Sequence, residues 1–194
     1  MIISPKFDKA YDFHEGLARV EISGKWGFIN VNGDFEIEPN FDWVFDFSEG
    51  KADFRKGSEK DGKYGFINKS GSVVIPAIYD RVFAFHEGRA LFREGSFRGG
   101  KYGYLDEKGN VIVDPVYDGA MNFCEGRANV SIGIAKEAKW GYIDYNGKQV
   151  IPLKFSRPSE FNNNLALVRV GDFKTGVEGY INKQGKFIWK SPNK

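Results

Sequence analysis

Rings and polar residues alternate along residues 41–47, where Phe41, Trp43, Phe45 and Phe47 interleave with Asp42, Val44 and Asp46. A period of two places the four rings on one face of a half-buried strand. The segment returns every 38 residues, weakened by Gly119 and Met121 in one copy and by Arg157, Pro158 and Ser159 in another. Phe-x-Glu-Gly follows at Phe13-His14-Glu15-Gly16, Phe47-Ser48-Glu49-Gly50, Phe85-His86-Glu87-Gly88 and Phe123-Cys124-Glu125-Gly126, and Asn164 stands for the glycine in the last copy. Glycine, then asparagine, tolerates positive φ best, so this is a turn. A second strand carries a small residue at Ala18, Ala52, Ala90, Ala128 and Ala166. The third is a Lys-aromatic-Gly phrase, as in Lys25-Trp26-Gly27-Phe28-Ile29 and Lys63-Tyr64-Gly65-Phe66-Ile67, with Glu178 replacing the aromatic in the fifth copy. Glycine inside a strand marks a close approach, and an aromatic ring is the expected neighbour. A tight turn ending at Gly33, Gly71, Gly109, Gly147 or Gly185 leads to a fourth strand, as in Phe35 to Ile37 and Val73 to Ile75. Prolines 39, 76, 115 and 152 are expected to close it, since proline offers no ladder donor.

A fixed period of this length marks a repeat protein whose units bury their apolar sides against their neighbours. The predicted fold is all-β: five tandem antiparallel repeats in a single domain over 5–192, with units of about 5–38, 39–76, 77–114, 115–152 and 153–192. The hairpin loop of the first unit is shorter by four residues: Ala18 to Trp26 spans 8 positions, against 12 from Ala52 to Tyr64. Four short strands per unit suit a propeller blade, and the uncapped aromatic first unit favours a closed five-bladed ring over an open β-solenoid of three- to four-stranded units.

The Lys-Trp-Gly-Phe-Ile and Lys-Trp-Gly-Tyr-Ile phrases, the turn glycine, Ile-Pro, Tyr-Asp and Phe-x-Glu-Gly-x-Ala together resemble the bacterial WG repeat family, also called KWG repeats. The resemblance runs over residues 5–192 and departs in the fifth copy, at Glu178, Ser156 and Asn162-Asn163-Asn164. It implies an all-β repeat protein of bacterial type and no catalytic residues.

Charge alters this picture little. The net charge is +2, from 28 basic and 26 acidic residues, which gives no electrostatic argument for nucleic acid or an anionic membrane. Cys124 is the single cysteine, so neither an intrachain disulfide nor a cysteine metal cluster is possible. The first residues lack the basic and apolar regions of a signal peptide, so the expected location is cytoplasmic, and no apolar run is long enough for a membrane helix. Phosphate-binding, dinucleotide, nucleophile-elbow and zinc-protease motifs are missing, so no catalytic residue, cofactor or metal is expected.

Function is expected in the columns that vary. The long hairpin loops, Gly57 to Gly62, Gly95 to Gly100, Gly133 to Ala138 and Gly171 to Gly176, display Phe97 and Phe173 as candidate partner anchors. Arg55, Arg93 and Arg169 stand beside them as a basic column, with Lys51, Arg89 and Arg127 forming a second. His14, Glu15, His86 and Glu87 are placed at the mouth of a central channel, where they could hold a cation or sense pH. Asp8, Asp42, Asp80 and Asp118 read as Asx-turn acceptors. The expected function is a non-enzymatic recognition or scaffold module that binds a protein through its loops as a monomer. A small-ligand binder or hydrolase at the channel mouth and a toxin-immunity-type protein are the alternatives.

Overall fold

The computed structural model describes residues 6–172 and 174–192. The alternation and turn signals build five four-stranded antiparallel sheets, each a meander with its strands in chain order. The first contains β1 (Lys9–His14), β2 (Leu17–Ile22), β3 (Lys25–Asn30) and β4 (Phe35–Phe41). The second contains β5 (Trp43–Val44), β6 (Lys51–Lys56), β7 (Lys63–Asn68) and β8 (Val73–Tyr79). The third contains β9 (Arg81–His86), β10 (Arg89–Glu94), β11 (Lys101–Leu105) and β12 (Val111–Tyr117). The fourth contains β13 (Gly119–Ala120), β14 (Ala128–Ile132), β15 (Lys139–Ile143) and β16 (Gln149–Phe155). The fifth contains β17 (Arg157–Pro158), β18 (Leu165–Val170), β19 (Val177–Asn182) and β20 (Phe187–Lys190). This is the all-β repeat architecture expected, with four strands per unit, as in a propeller blade.

Two local expectations are corrected. Proline does not close the fourth strand. β4 runs through Pro39 to Phe41, which pairs with Trp26, and the register shifts between that pair and Phe28↔Ile37. The proline occupies the bulge so formed, where no ladder donor is required. Phe41 therefore ends one sheet rather than starting the next, and β5 holds only Trp43 and Val44, while Phe45 to Phe47 leave the ladder.

The glycine of the recurrent phrase makes room chiefly for backbone. A Cβ on Gly27 would lie 2.3 Å from the carbonyl oxygen of Ile37, and on Gly65, Gly103 and Gly141 it would meet those of Ile75, Val113 and Ile151 at 2.4, 2.3 and 2.4 Å. The bulge folds the fourth strand back over the third at this point. A ring also comes close at Gly103, where Phe92 would be 2.7 Å away, but the backbone contact recurs in every copy.

Adjacent sheets are joined by one ring contact used four times. Phe47, Phe85, Phe123 and Phe161 meet Phe28, Phe66, Tyr104 and Tyr142 of the preceding unit at centroid distances of 4.7, 4.8, 5.0 and 5.0 Å, all edge-on. Burial clusters follow these contacts, so the core lies between sheets as well as within them. Phe13 and Tyr180, the equivalent residues of the first and fifth sheets, make no such contact with each other, and each is 43% exposed. Among the described residues no helix is long and apolar enough to cross a membrane.

Candidate functional site

The turns along one edge are built by the Phe-x-Glu-Gly columns. Both central residues take positive φ, about 51–53° at Glu15, Glu49, Glu87 and Glu125 and 72–86° at the glycines that follow. This is the chemistry of a tight two-residue hairpin turn. The glutamates have a role that single-copy reading does not reveal. The carboxylate of Glu49 accepts from the backbone N–H of Glu87 (2.6 Å) and of Gly88 (2.8 Å) in the next unit. Glu87 does the same for Glu125 (2.7 Å) and Gly126 (2.9 Å), and Glu125 for Asn163 and Asn164 (both 2.8 Å). Glu15 accepts from Gly50 at 3.0 Å and pairs with Lys69 at 3.2 Å.

Glu15 and Glu87 are thus structural couplers. The predicted grouping of His14, Glu15, His86 and Glu87 is only partly realised. His14 and His86 line one pocket of about 310 Å³, but its acidic groups are Asp46 and Asp53, with Arg81 opposite. Ser48 and Cys124, from the same column as the histidines, instead donate to the carbonyls of Phe85 (2.8 Å) and Phe161 (3.1 Å). Among the described residues no His, Cys, Asp and Glu side chains are grouped to hold a metal ion.

Asp53 is the unusual member of that pocket. It projects from β6, is 2% exposed, and its Oδ2 has no hydrogen-bond partner. The Arg81 guanidinium is 3.7 Å away, too far for a hydrogen bond. Burial pushes the Asp53 carboxyl up to about 7, against the pull of Arg81. Asp46 nearby is held by Arg19 at 3.0 Å and lies 3.8 Å from His14. The sequence signal for this site was the column Arg19, Asp53, Leu91, Asn129, Leu167, which changes character between buried neighbours.

The hairpin loops line the other edge. Asp42, Asp80 and Asp118 are not Asx-turn acceptors. One oxygen of each pairs with the lysine of the recurrent phrase: Lys25 at 2.6 Å, Lys63, and Lys101 at 2.5 Å. The other caps the glycine that opens the loop: Gly57 and Gly95 at 2.7 Å, and Gly133 at 2.8 Å. Asp8 caps Ser23 of the short first loop at 2.6 Å. The true Asx turns are at Asn30, Asn68, Asp106, Asp144 and Asn182, whose side chains accept from the two N–H groups two and four residues on.

Arg55 and Arg93 do not form a free basic band. Each donates its Nε to the carbonyl two residues on, of Gly57 (3.1 Å) and Gly95 (3.3 Å), and Arg169 pairs with Glu178 at 2.6 Å. In the second column Lys51 lies 3.7 Å from Glu107, and Arg89 and Arg127 donate to backbone carbonyls. Phe97 is 83% exposed at a loop tip, with the Arg93 guanidinium 5.6 Å from its ring centre. A cleft of about 680 Å³ separates its loop from the preceding one, walled by Lys60, Tyr64, Asp80, Arg93 and Phe97. A second of about 680 Å³ lies between the last two loops and contains Lys136, Lys139, Arg157 and Arg169. Phe173 lies outside the described residues.

No curated protein matches the chain. Among solved structures it is similar to TolB from Acinetobacter baumannii, with 11% identity and a TM-score of 0.43, over 89% of this chain and 50% of that one. The chain therefore spans about half the length of that neighbour. A family model for the WG containing repeat matches five times, at residues 1–26, 26–63, 64–96, 102–133 and 140–172, and the chain belongs to that family.

Proposed function

We propose that this protein is a non-catalytic recognition module that binds a protein partner along its hairpin-loop edge. The observation that carries the reading is Phe97, which leaves an ordered hairpin almost fully exposed beside a cleft of about 680 Å³. An exposed ring on a rigid scaffold next to a concavity is the usual form of an interface anchor. The cleft wall mixes Lys60, Lys63 and Arg93 with Glu59, Asp61 and Asp80, as suits a polar rim around an apolar anchor. The test is affinity capture with quantitative mass spectrometry, comparing the wild-type chain with Phe97→Ala. The variant should fold normally and lose the specific partner, and equal capture by both proteins would refute the reading.

A second reading is favoured by Asp53. A buried carboxylate oxygen without a partner, facing a pocket with His14, His86 and Arg81, is the arrangement of a small polar-ligand site. A cationic or amide-bearing ligand would complete its hydrogen bonding. A thermal-shift screen should then return ligands whose stabilisation disappears in Asp53→Asn. Hits that stabilise the variant equally would exclude this pocket.

A further inference from the structure

The cleft between the last two loops lacks the carboxylate that its counterparts carry. In three earlier copies a single carboxylate bridges two groups: Asp42 joins Lys25 Nζ (2.6 Å) to the Gly57 N–H (2.7 Å), Asp80 joins Lys63 to Gly95, and Asp118 joins Lys101 to Gly133. The matching residue of the fifth unit is Ser156. Its hydroxyl turns away and donates to the carbonyl of Arg169 at 3.3 Å. Among the described residues Lys139 has no ion pair, and no carboxylate caps the Gly171 N–H.

The walls add to this surplus of donors. Lys136, Arg157 and Lys174 are exposed in the same cleft. Its one acid, Asp172, is committed to its own loop, accepting from the Lys174 N–H (2.7 Å), the Thr175 N–H (2.8 Å) and the Thr175 hydroxyl (2.5 Å). Those bonds hold it below the usual carboxylate range. Elsewhere along the loop edge each such lysine is neutralised within the chain.

We infer that this cleft is a carboxylate-binding site, in which an oxyanion of an external ligand takes the place that Asp42, Asp80 and Asp118 fill in the other copies. One ligand oxygen would accept from Lys139 Nζ and the other from the Gly171 N–H, reproducing the internal pairing. Lys136, Arg157 and Lys174 favour a ligand with further negative charge beside that carboxylate. Such a ligand is an acidic peptide segment or a small polycarboxylic acid. The site is separate from the Phe97 cleft and stands whether or not the loop-anchor reading holds.

The experiment uses two probes, an aspartate-rich octapeptide and citrate, titrated calorimetrically into the full chain. Ser156→Asp rebuilds the internal bridge and should weaken binding at least tenfold while leaving the thermal midpoint unchanged or raised. Lys108→Gln lowers the net charge by the same single unit outside the cleft and should leave affinity unchanged. Ser156→Ala should bind like the wild type. Peptide binding alone identifies a protein segment as the source, and citrate binding of equal strength identifies a small acid. The inference is overturned if neither probe binds saturably, if Ser156→Asp binds as the wild type does, or if Lys108→Gln loses as much affinity as Ser156→Asp.

Discussion

Replacing Glu87 with alanine tests whether the turn glutamates couple one repeat to the next. The carboxylate accepts three hydrogen bonds, from the N–H groups of Glu125 (2.7 Å) and Gly126 (2.9 Å) and from the hydroxyl of Tyr145 (2.7 Å). Bonds to a charged acceptor contribute about 1.5–3 kcal/mol each when sheltered. This edge is exposed and water competes, so about 0.5–1 kcal/mol each is the appropriate scale, or roughly 1.5–3 kcal/mol in total. For a domain of this size that corresponds to a fall in Tm of about 3–12 °C. The effect has a pH signature. Partial burial raises the Glu87 carboxyl, but the bonds from Gly126, Tyr145 and Glu125 outweigh it and hold it below its ordinary 4.5. A depressed carboxyl contributes stability above its unfolded value and loses it as pH falls through its folded value. The gap between wild type and Glu87→Ala should therefore be full near about pH 6 and shrink as the pH falls below 4.5. Glu59→Ala, in an exposed loop, is the control and should change nothing. Urea unfolding across this range decides it: no loss of stability near neutrality, or a gap that persists unchanged in acid, would refute the coupling.

Gly65→Ala should destabilise by about 2–4 kcal/mol in urea unfolding, because the new methyl would meet the Ile75 carbonyl oxygen at 2.4 Å and the Ala77 nitrogen at 2.7 Å; an unchanged midpoint would show that the strand can yield. Tyr104→Phe should cost about 1 kcal/mol, since its buried hydroxyl donates to the Met121 carbonyl at 2.6 Å, and an unaltered midpoint would show that water replaces the bond. Asp53→Asn should change the pH dependence of stability. A carboxyl raised from 3.8 to about 7 contributes stability that is complete below 3.8 and lost as pH rises through about 7. Between about pH 4 and 7 the wild type should lose stability relative to Asp53→Asn and then level off, and parallel profiles would mean that Asp53 stays charged throughout.

The repeat, its four strands and its turns were legible because they rest on periodicity and on glycine, which single residues carry openly. The missed features depend on partners far along the chain. Glu87 reads as a surface turn residue because the N–H groups that donate to its carboxylate, those of Glu125 and Gly126, lie 38 and 39 positions away. Asp42 follows an aromatic, so a local turn was the natural reading, yet its partners are 17 and 15 residues distant on opposite sides. Pro39 looks like a strand terminator because a bulge leaves no mark in composition, and the hint lay in Gly27, whose close neighbour was expected to be a ring and is the backbone around Pro39. Phe97 is exposed, as its place in a variable hairpin loop suggests.

These contacts also explain where chemistry remains available in so regular a molecule. A repeat satisfies its polar groups with the same groups of the next copy, so a recurring residue is a spent one: Glu49, Glu87 and Glu125 are saturated by backbone, and Lys25, Lys63 and Lys101 by aspartate. An available group arises only where one copy changes and its partner does not. Ser156 releases Lys139 in this way, and Asp53, placed where Leu91 and Leu167 stand in other copies, faces Arg81 without a full hydrogen bond. Neither altered residue takes part in the ring contacts that join the sheets. If the proposed sites hold, what this architecture binds can change at a single column while the ring contacts that join the sheets stay in place.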